Sequence, residues 1–200
     1  MTAMPFRHRH ALRAAALAVA LAAVSACTGT NAVSQGVDGG TGFQAGDDSL
    51  TWLPPGHRPR PDAVSGTLLD GTHFDLAGWR GHVVVVNFWG SWCTPCRDEA
   101  DALEQVYRDY RARGVEFVGV DTRNDDVPSA LSFIRKYHVT YPSLSDPSNV
   151  LALRFPGVPP SAIPTTLILD RQGRIAARHS GSILFTQLRD VVARALAEKT

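Results

Sequence analysis

The stretch Val83-Val84-Val85-Val86-Asn87-Phe88-Trp89-Gly90-Ser91-Trp92-Cys93-Thr94-Pro95-Cys96 decides the reading of this chain. Four consecutive valines suit a strand buried on both faces. Pro95 suits the first turn of a helix, where its missing N–H would be unsatisfied in any case. From Thr94 to about Arg113, apolar or aromatic residues recur at Ala100, Leu103, Val106, Tyr107 and Tyr110. That spacing of threes and fours makes an amphipathic helix, and Gly114 suits its C-cap. Two thiols therefore stand where a buried strand becomes a helix. Cys93, at the helix start, can point outward and attack, because unpaired N–H groups and the macrodipole there favour a thiolate. Cys96, one turn further in, is placed to resolve the mixed disulfide that results.

Working outward, Ala63 to Leu69 alternates, Asp70-Gly71 is a hairpin turn signal, and Thr72-His73-Phe74 gives the return strand. After the central strand and helix come a buried strand at Val115 to Val120 and a helix from about Pro128 to Tyr137. A short strand at Tyr141 to Leu144 and a helical turn at Asp146 to Arg154 follow. Thr165 to Leu169 and Arg174 to His179 form a second hairpin around Arg171-Gln172-Gly173, and a helix from Leu184 to Ala197 closes the chain. Strand-helix-strand units followed by a hairpin and a last helix imply an α/β fold with a mixed central sheet flanked by helices. Trp89 is expected in the core and Trp92 on the rim around Cys93, with His138 and His179 at the surface.

The N-terminal end is of another kind. Residues 1–26 hold Arg7, Arg9 and Arg13, no acidic residue, and an alanine- and leucine-rich run, the pattern of a secretory signal. The run is shorter than the roughly 20 apolar residues of a spanning helix. Val24-Ser25-Ala26-Cys27 resembles the lipobox of bacterial lipoproteins, which makes Cys27 the expected lipidation site and the mature N-terminus. With Cys27 acylated, the chain's three cysteines leave Cys93 and Cys96 as a closed pair. Residues 27–61, rich in Gly, Ser, Thr, Asn and Asp, read as a lipidated N-terminus and flexible linker. Over roughly 30 residues such a linker reaches about 30 Å. Leu50-Thr51-Trp52-Leu53 is its one apolar interruption. Residues 62–200 are left as the folded domain. Removing 1–26 leaves 17 basic against 19 acidic residues, a charge of −2. That balance, with no basic run, argues against nucleic acid as a partner.

Asn87 to Glu99 resembles the active-site signature of the membrane-anchored TlpA/ResA family of thiol-disulfide oxidoreductases, within the thioredoxin superfamily. Leu76-Ala77-Gly78-Trp79-Arg80-Gly81 after the N-terminal β-hairpin, the central insertion between Asp121 and Phe155, and Ile163-Pro164-Thr165-Thr166 extend the likeness over about residues 62–197. The resemblance implies a thioredoxin-like fold and an extracytoplasmic protein-disulfide reductase, in this family often serving cytochrome c-type biogenesis. It implies a redox-active disulfide between Cys93 and Cys96, exported disulfide proteins as substrates, a membrane thiol as electron donor, and no cofactor. The expected location is the extracytoplasmic face of the cell membrane, through a lipid anchor at Cys27.

The resemblance also assigns roles. Glu99, three residues after Cys96, aligns with a glutamate used near the dithiol by ResA-like members, where a partly buried carboxylate can shuttle protons or raise the thiol pKa values. Thioredoxins themselves carry a buried aspartate where Asn87 stands, and an amide cannot take a proton, so the base role passes to Glu99. The proline matching Pro164 is cis in thioredoxin folds, leaving the backbone of Ile163 free to pair with a substrate segment. Ile163, Pro164 and Trp92 are thus the expected substrate contacts. Ala100 departs from the family, many of whose members have a proline there that kinks the helix, and Val158-Pro159-Pro160-Ser161 is unusually proline-rich.

Other chemistries remain on the table. A disulfide-forming oxidase would use the same dithiol. A peroxiredoxin-like peroxidase needs threonine and proline where Gly90 and Val86 stand, and a copper chaperone of the SCO type uses a C-x-x-x-C spacing one residue longer. A zinc site would want two further ligands, and the sequence has no second C-x-x-C or clustered histidine pair.

Overall fold

The structure, a computed structural model, describes residues 50–123, 125–158 and 162–198. The expected signal 1–26, Cys27, residues 28–49 of the expected linker and Pro159-Pro160-Ser161 lie outside the described residues.

The four valines lie in β4 (Val83–Trp89), every residue of which is buried. It runs parallel to β5 (Val115–Thr122), which runs parallel to β6 (Ser143–Asp146). On its other side β7 (Thr165–Leu169) is antiparallel, followed by β8 (Ile175–Ser180) and β1 (Leu50–Trp52), also antiparallel. The sheet order is β1-β8-β7-β4-β5-β6, the mixed thioredoxin-like arrangement that the sequence predicts. β2 (Ser65–Thr67) and β3 (His73–Asp75) form the separate N-terminal hairpin. Its turn works as the Asp-Gly pair suggests: the Asp70 carboxylate accepts from Thr72 N and Oγ1, and Gly71 takes φ 88°.

Joining two parallel strands requires a crossover, and α1 (Thr94–Tyr110) supplies it between β4 and β5. Ala100, Leu103, Val106 and Tyr110 face the sheet, while Tyr107 is only partly buried. The helix ends earlier than the expected Arg113: residues 111–113 tighten into a 3₁₀ turn, closed by Gly114 at φ 84°. α2 (Val127–Lys136) is capped by the Asp126 carboxylate, which accepts from Ser129 N at 2.7 Å. α3 (Phe185–Ala197) contributes Leu188, Val191, Val192 and Ala195 to the same core as α1. Alternation along β4 sends Val83, Val85 and Trp89 to that core, and Val84, Val86 and Phe88 to a second one with Phe74 and Phe155.

Several boundaries differ from the sequence reading. Residues 50–61, expected as linker, belong to the fold. β1 pairs with β8 from Leu50↔His179 to Trp52↔Ala177, and Arg58, with its side chain 1% exposed, bonds to Asp170 at 3.1 Å and Glu198 at 2.5 Å. The guanidinium groups of Arg58 and Arg194 lie over the Trp52 ring, 5.0 and 4.0 Å from its centroid. Three residues leave little periodicity to read, and the edge they cover is remote in sequence. β6 begins at Ser143 rather than Tyr141, because Pro142 cannot donate to the ladder and Tyr141 turns into the core. Between Asp146 and Arg154 only Ala152–Arg154 is helical, as a 3₁₀ turn, and the Asp146 carboxylate instead holds Val150 N and Leu151 N. His179, expected at the surface, is buried, since β1 makes β8 an interior strand; His138 is exposed.

Candidate active site

Leaving β4, the chain turns through Gly90, where a Cβ would come within 3.0 Å of the Trp92 Nε1. Ser91 is gripped from two sides. Its N–H and Oγ donate to the Asp125 carboxylate, and its carbonyl accepts from Arg97 Nε at 3.0 Å and Nη2 at 2.6 Å. These partners fix the loop directly ahead of Cys93, and neither was singled out from the sequence. Trp92, 46% exposed, stands on the rim as expected, with Arg123 5.3 Å from its ring centroid. Trp89 lies in the core against Phe133.

Cys93 is the N-cap of α1, its Sγ accepting from Cys96 N at 3.3 Å, and the two cysteines are joined as a disulfide with Cα atoms 5.3 Å apart. In this oxidised form Cys93 does not project outward: it is 5% exposed, against 1% for Cys96. Opening the disulfide at Cys93 would leave its sulfur at a helix N-terminus, where negative charge is stabilised.

Glu99 lies one turn beyond Cys96 on the inward face of α1 and is 1% exposed, so the absent proline at Ala100 does not keep it from the core. Asn87 Nδ2 donates to its Oε1 at 2.7 Å, and Ile183 N to its Oε2 at 2.9 Å. Asn87 Nδ2 also donates to Thr166 Oγ1 at 3.1 Å. Burial pushes the Glu99 carboxyl up to about 8, even though both hydrogen bonds pull it down. An acid of that strength matches an ordinary thiol in proton affinity. The space bounded by Cys96, Asn87, Trp89 and Tyr141 is too small for a water molecule.

The Ile163–Pro164 peptide is cis. Thr165 pairs with Phe88, which sets Pro164 at the same end of the sheet as the dithiol. Pro164 O accepts from Gly181 N at 2.9 Å, whereas among the described residues neither the N–H nor the carbonyl of Ile163 has a hydrogen-bond partner. A groove of about 420 Å³ opens on the other side of the loop, lined by Ser91, Arg97, Ser129, Phe133, Lys136 and Tyr137.

Sequence reasoning also missed Asp121, one of several further buried acids. Asp121, at the end of β5 opposite Trp89, is pushed up to about 8 by burial and by the neighbouring Asp125, Asp126 and Asp146. The available signal was a carboxylate directly following the buried run Val115 to Val120. Among the described residues no cluster of three or more His, Cys, Asp or Glu is arranged to hold a metal ion, and no helix is long and apolar enough to cross a membrane.

Comparison with known proteins agrees with this geometry. The AhpC/TSA family profile matches residues 59–178. The thiol-disulfide oxidoreductase ResA of Geobacillus kaustophilus is 29% identical over 180 residues, 90% of this chain and 92% of that protein. A secreted thiol-disulfide isomerase from Corynebacterium glutamicum superimposes with a TM-score of 0.73 at 31% identity, covering 78% of this chain and 98% of that one. A DsbF homologue from Corynebacterium diphtheriae gives a TM-score of 0.70 at 32% identity, covering 76% and 96%.

Proposed function

Since this chain belongs to the AhpC/TSA family of the thioredoxin superfamily and is a thiol-disulfide oxidoreductase, we propose that it reduces disulfides in exported proteins from the extracytoplasmic face of the membrane. The observation that carries the reading is the Cys93–Cys96 disulfide at the head of α1, with the Glu99 carboxyl buried one helical turn beyond Cys96. The ResA relatives and the secreted isomerase support the location. The lipobox at Val24 to Cys27 supports a lipid anchor at Cys27.

In the proposed cycle the Cys93 thiolate attacks a substrate disulfide. A Cys93–substrate S–S bond forms, and the displaced substrate sulfur leaves and takes a proton. Cys96 gives its proton to the Glu99 carboxylate and attacks the Cys93 sulfur, forming the Cys93–Cys96 disulfide and releasing the second substrate thiolate. The substrate gains two electrons and the enzyme loses two. A membrane dithiol restores the enzyme in two exchanges: one donor thiolate attacks Cys93 and Cys96 leaves as a thiolate that takes its proton back from Glu99, then the second donor thiolate attacks the first donor sulfur, releasing Cys93 as a thiolate and leaving the donor as a disulfide. Trp92, Ile163 and Pro164 form the docking rim, the free backbone of Ile163 pairing with an extended client. Apocytochrome c cysteines are one client class that fits.

With Glu99 near 8, about a tenth of the sites hold the carboxylate at pH 7. Resolution by Cys96 should therefore quicken about tenfold per pH unit below that point and level off above it. The test of the cycle is a Cys96→Ala chain, which should accumulate disulfide-linked clients on non-reducing gels while Cys93→Ala accumulates none. Equal trapping by the two variants overturns the assigned roles. The direction of flow is read from the reduction potential: well below about −180 mV supports the reductant, and near −120 mV makes the protein an oxidant. Cys27→Ala should move the protein out of the membrane fraction.

A further inference from the structure

His179 is the one buried histidine among the described residues, and nothing in the dithiol cycle above uses it. It stands on β8 in a row across one sheet face: Asn87 pairs with Thr166, Thr166 with His179, and His179 with Leu50 of β1. Side chains in such a row share a face, so His179 looks toward the same core as Asn87 and Glu99. Its Nε2 lies 3.2 Å from the Ser182 carbonyl oxygen, while its buried Nδ1 has no hydrogen-bond partner. A carbonyl oxygen can only accept, so Nε2 carries the hydrogen of this contact.

Ser182 C=O and Ile183 N–H belong to the same peptide group. One end of that group accepts from His179 Nε2–H, and the other donates at 2.9 Å to Glu99 Oε2. The chain of contacts is therefore imidazole N–H to carbonyl, then amide N–H to carboxylate. A peptide whose oxygen accepts a hydrogen bond becomes a stronger donor at its nitrogen, by something like 10–30% per bond. The peptide sits in the short connection between β8 and α3, and His179 ties it to the rigid sheet.

We infer that His179 is a positioning residue for Glu99: through the 182–183 peptide it fixes and polarises the amide that holds the carboxylate, and so sets how readily Glu99 gives up its proton. The inference rests on the role of Glu99 proposed above. The other titratable group around Glu99 is Tyr141 ahead of β6, whose phenol burial, then Glu99 and Glu104, hold above its ordinary range, while Cys96 on the same helix is locked in the disulfide and does not titrate. Asn87 and Thr166 carry no charge. His179 is thus the sole titratable group among these that reaches the carboxylate through a backbone amide.

The test follows the Glu99 carboxyl by carbon NMR titration of the oxidised protein. His179→Leu removes the donor and should raise the midpoint by about half a pH unit, whereas His179→Gln, which can still donate to Ser182, should stay within about 0.2 of the parent. A midpoint unchanged in His179→Leu, or displaced equally in His179→Gln, overturns the inference. Should His179→Leu fail to fold, the parent protein decides: the Ile183 amide proton and the His179 Nε2 proton should both shift as Glu99 titrates, and a His179 signal that stays still overturns it. The reading of Glu99 has its own arm. If Glu99→Gln leaves the pH profile of mixed-disulfide resolution unchanged, the proton-transfer role fails, while the NMR link between His179 and Glu99 stands or falls separately.

Discussion

Replacing Glu99 with glutamine keeps the shape of the side chain and removes its titration, which turns a buried acid into a measurable stability difference. In the folded protein burial moves this carboxyl from 4.5 to about 8. A group raised on folding contributes stability that is fully present below its unfolded value and is lost as pH climbs through its folded value. Relative to Glu99→Gln, the parent should lose about 2.5 kcal/mol between pH 5 and pH 7, and about 4 kcal/mol by pH 9. The site has room to adapt: turning the Asn87 amide over would offer its oxygen to the introduced amide, while Ile183 N–H would still find an acceptor. Asp121 also titrates near 8, but it is present in both proteins and drops out of the difference. The assay is urea unfolding of both oxidised proteins at pH 5, 7 and 9. Oxidation matters because disulfide-bonded cysteines do not titrate. With an m-value of about 2 kcal/mol per molar, the gap in midpoints should widen by about 1 M between pH 5 and pH 7. A gap that stays constant to within about 0.5 kcal/mol from pH 5 to 9 would refute the claim that Glu99 is held protonated by burial.

Two structural predictions stand beside it. Arg58→Met strips the cation from the buried contact with Asp170 and Glu198 and should cost about 3 kcal/mol in urea unfolding, with faster hydrogen exchange at Leu50 to Trp52. No loss would mean that the N-terminal segment is held by strand pairing alone. Gly119→Ala puts a methyl group inside contact distance of Ser143 Oγ and 2.6 Å from the Trp89 Nε1, beneath the dithiol strand. It should lower stability by about 2 kcal/mol, and a melting temperature equal to the parent's would show that the Trp89 ring can move aside.

What was legible in the sequence was local or periodic. The valine run, the helical spacing of Ala100, Leu103, Val106 and Tyr110, and the Asp-Gly turn state their structures within a few residues. Cys93, Cys96, Glu99 and Pro164 stood out as candidates because motif spacing and resemblance mark them. The residues that were missed act across the fold. Asp125 reaches back to Ser91 from 34 positions away, Arg58 meets Glu198 across 140, and Ile183 donates to Glu99 across 84. No periodicity encodes such pairs. His179 was misread because the alternation of β8 shows which residues share a face, but not that β1 arrives to cover them. β6 was displaced because Pro142 decides where pairing starts, a matter of a missing donor rather than of hydrophobicity.

The N-terminal strand also settles how the sheet ends. β8 would otherwise offer an unpaired row of backbone donors and acceptors, and β1 takes it up before Pro54 and Pro55, which continue no ladder. At the far side, β6 is met by the hairpin through the Leu68↔Leu144 bridge and Leu69 N to Ser143 O at 2.9 Å. Exposed strand edges are templates for aggregation, and any extended chain presented to the protein could pair with them. With those borders short and occupied, the backbone of Ile163, unpaired among the described residues, is where the proposed client strand would add. In the proposed cycle, the same bracing that stabilises the fold would work as a filter, admitting an extended chain where its cysteine can meet Cys93 and refusing it at the occupied edges.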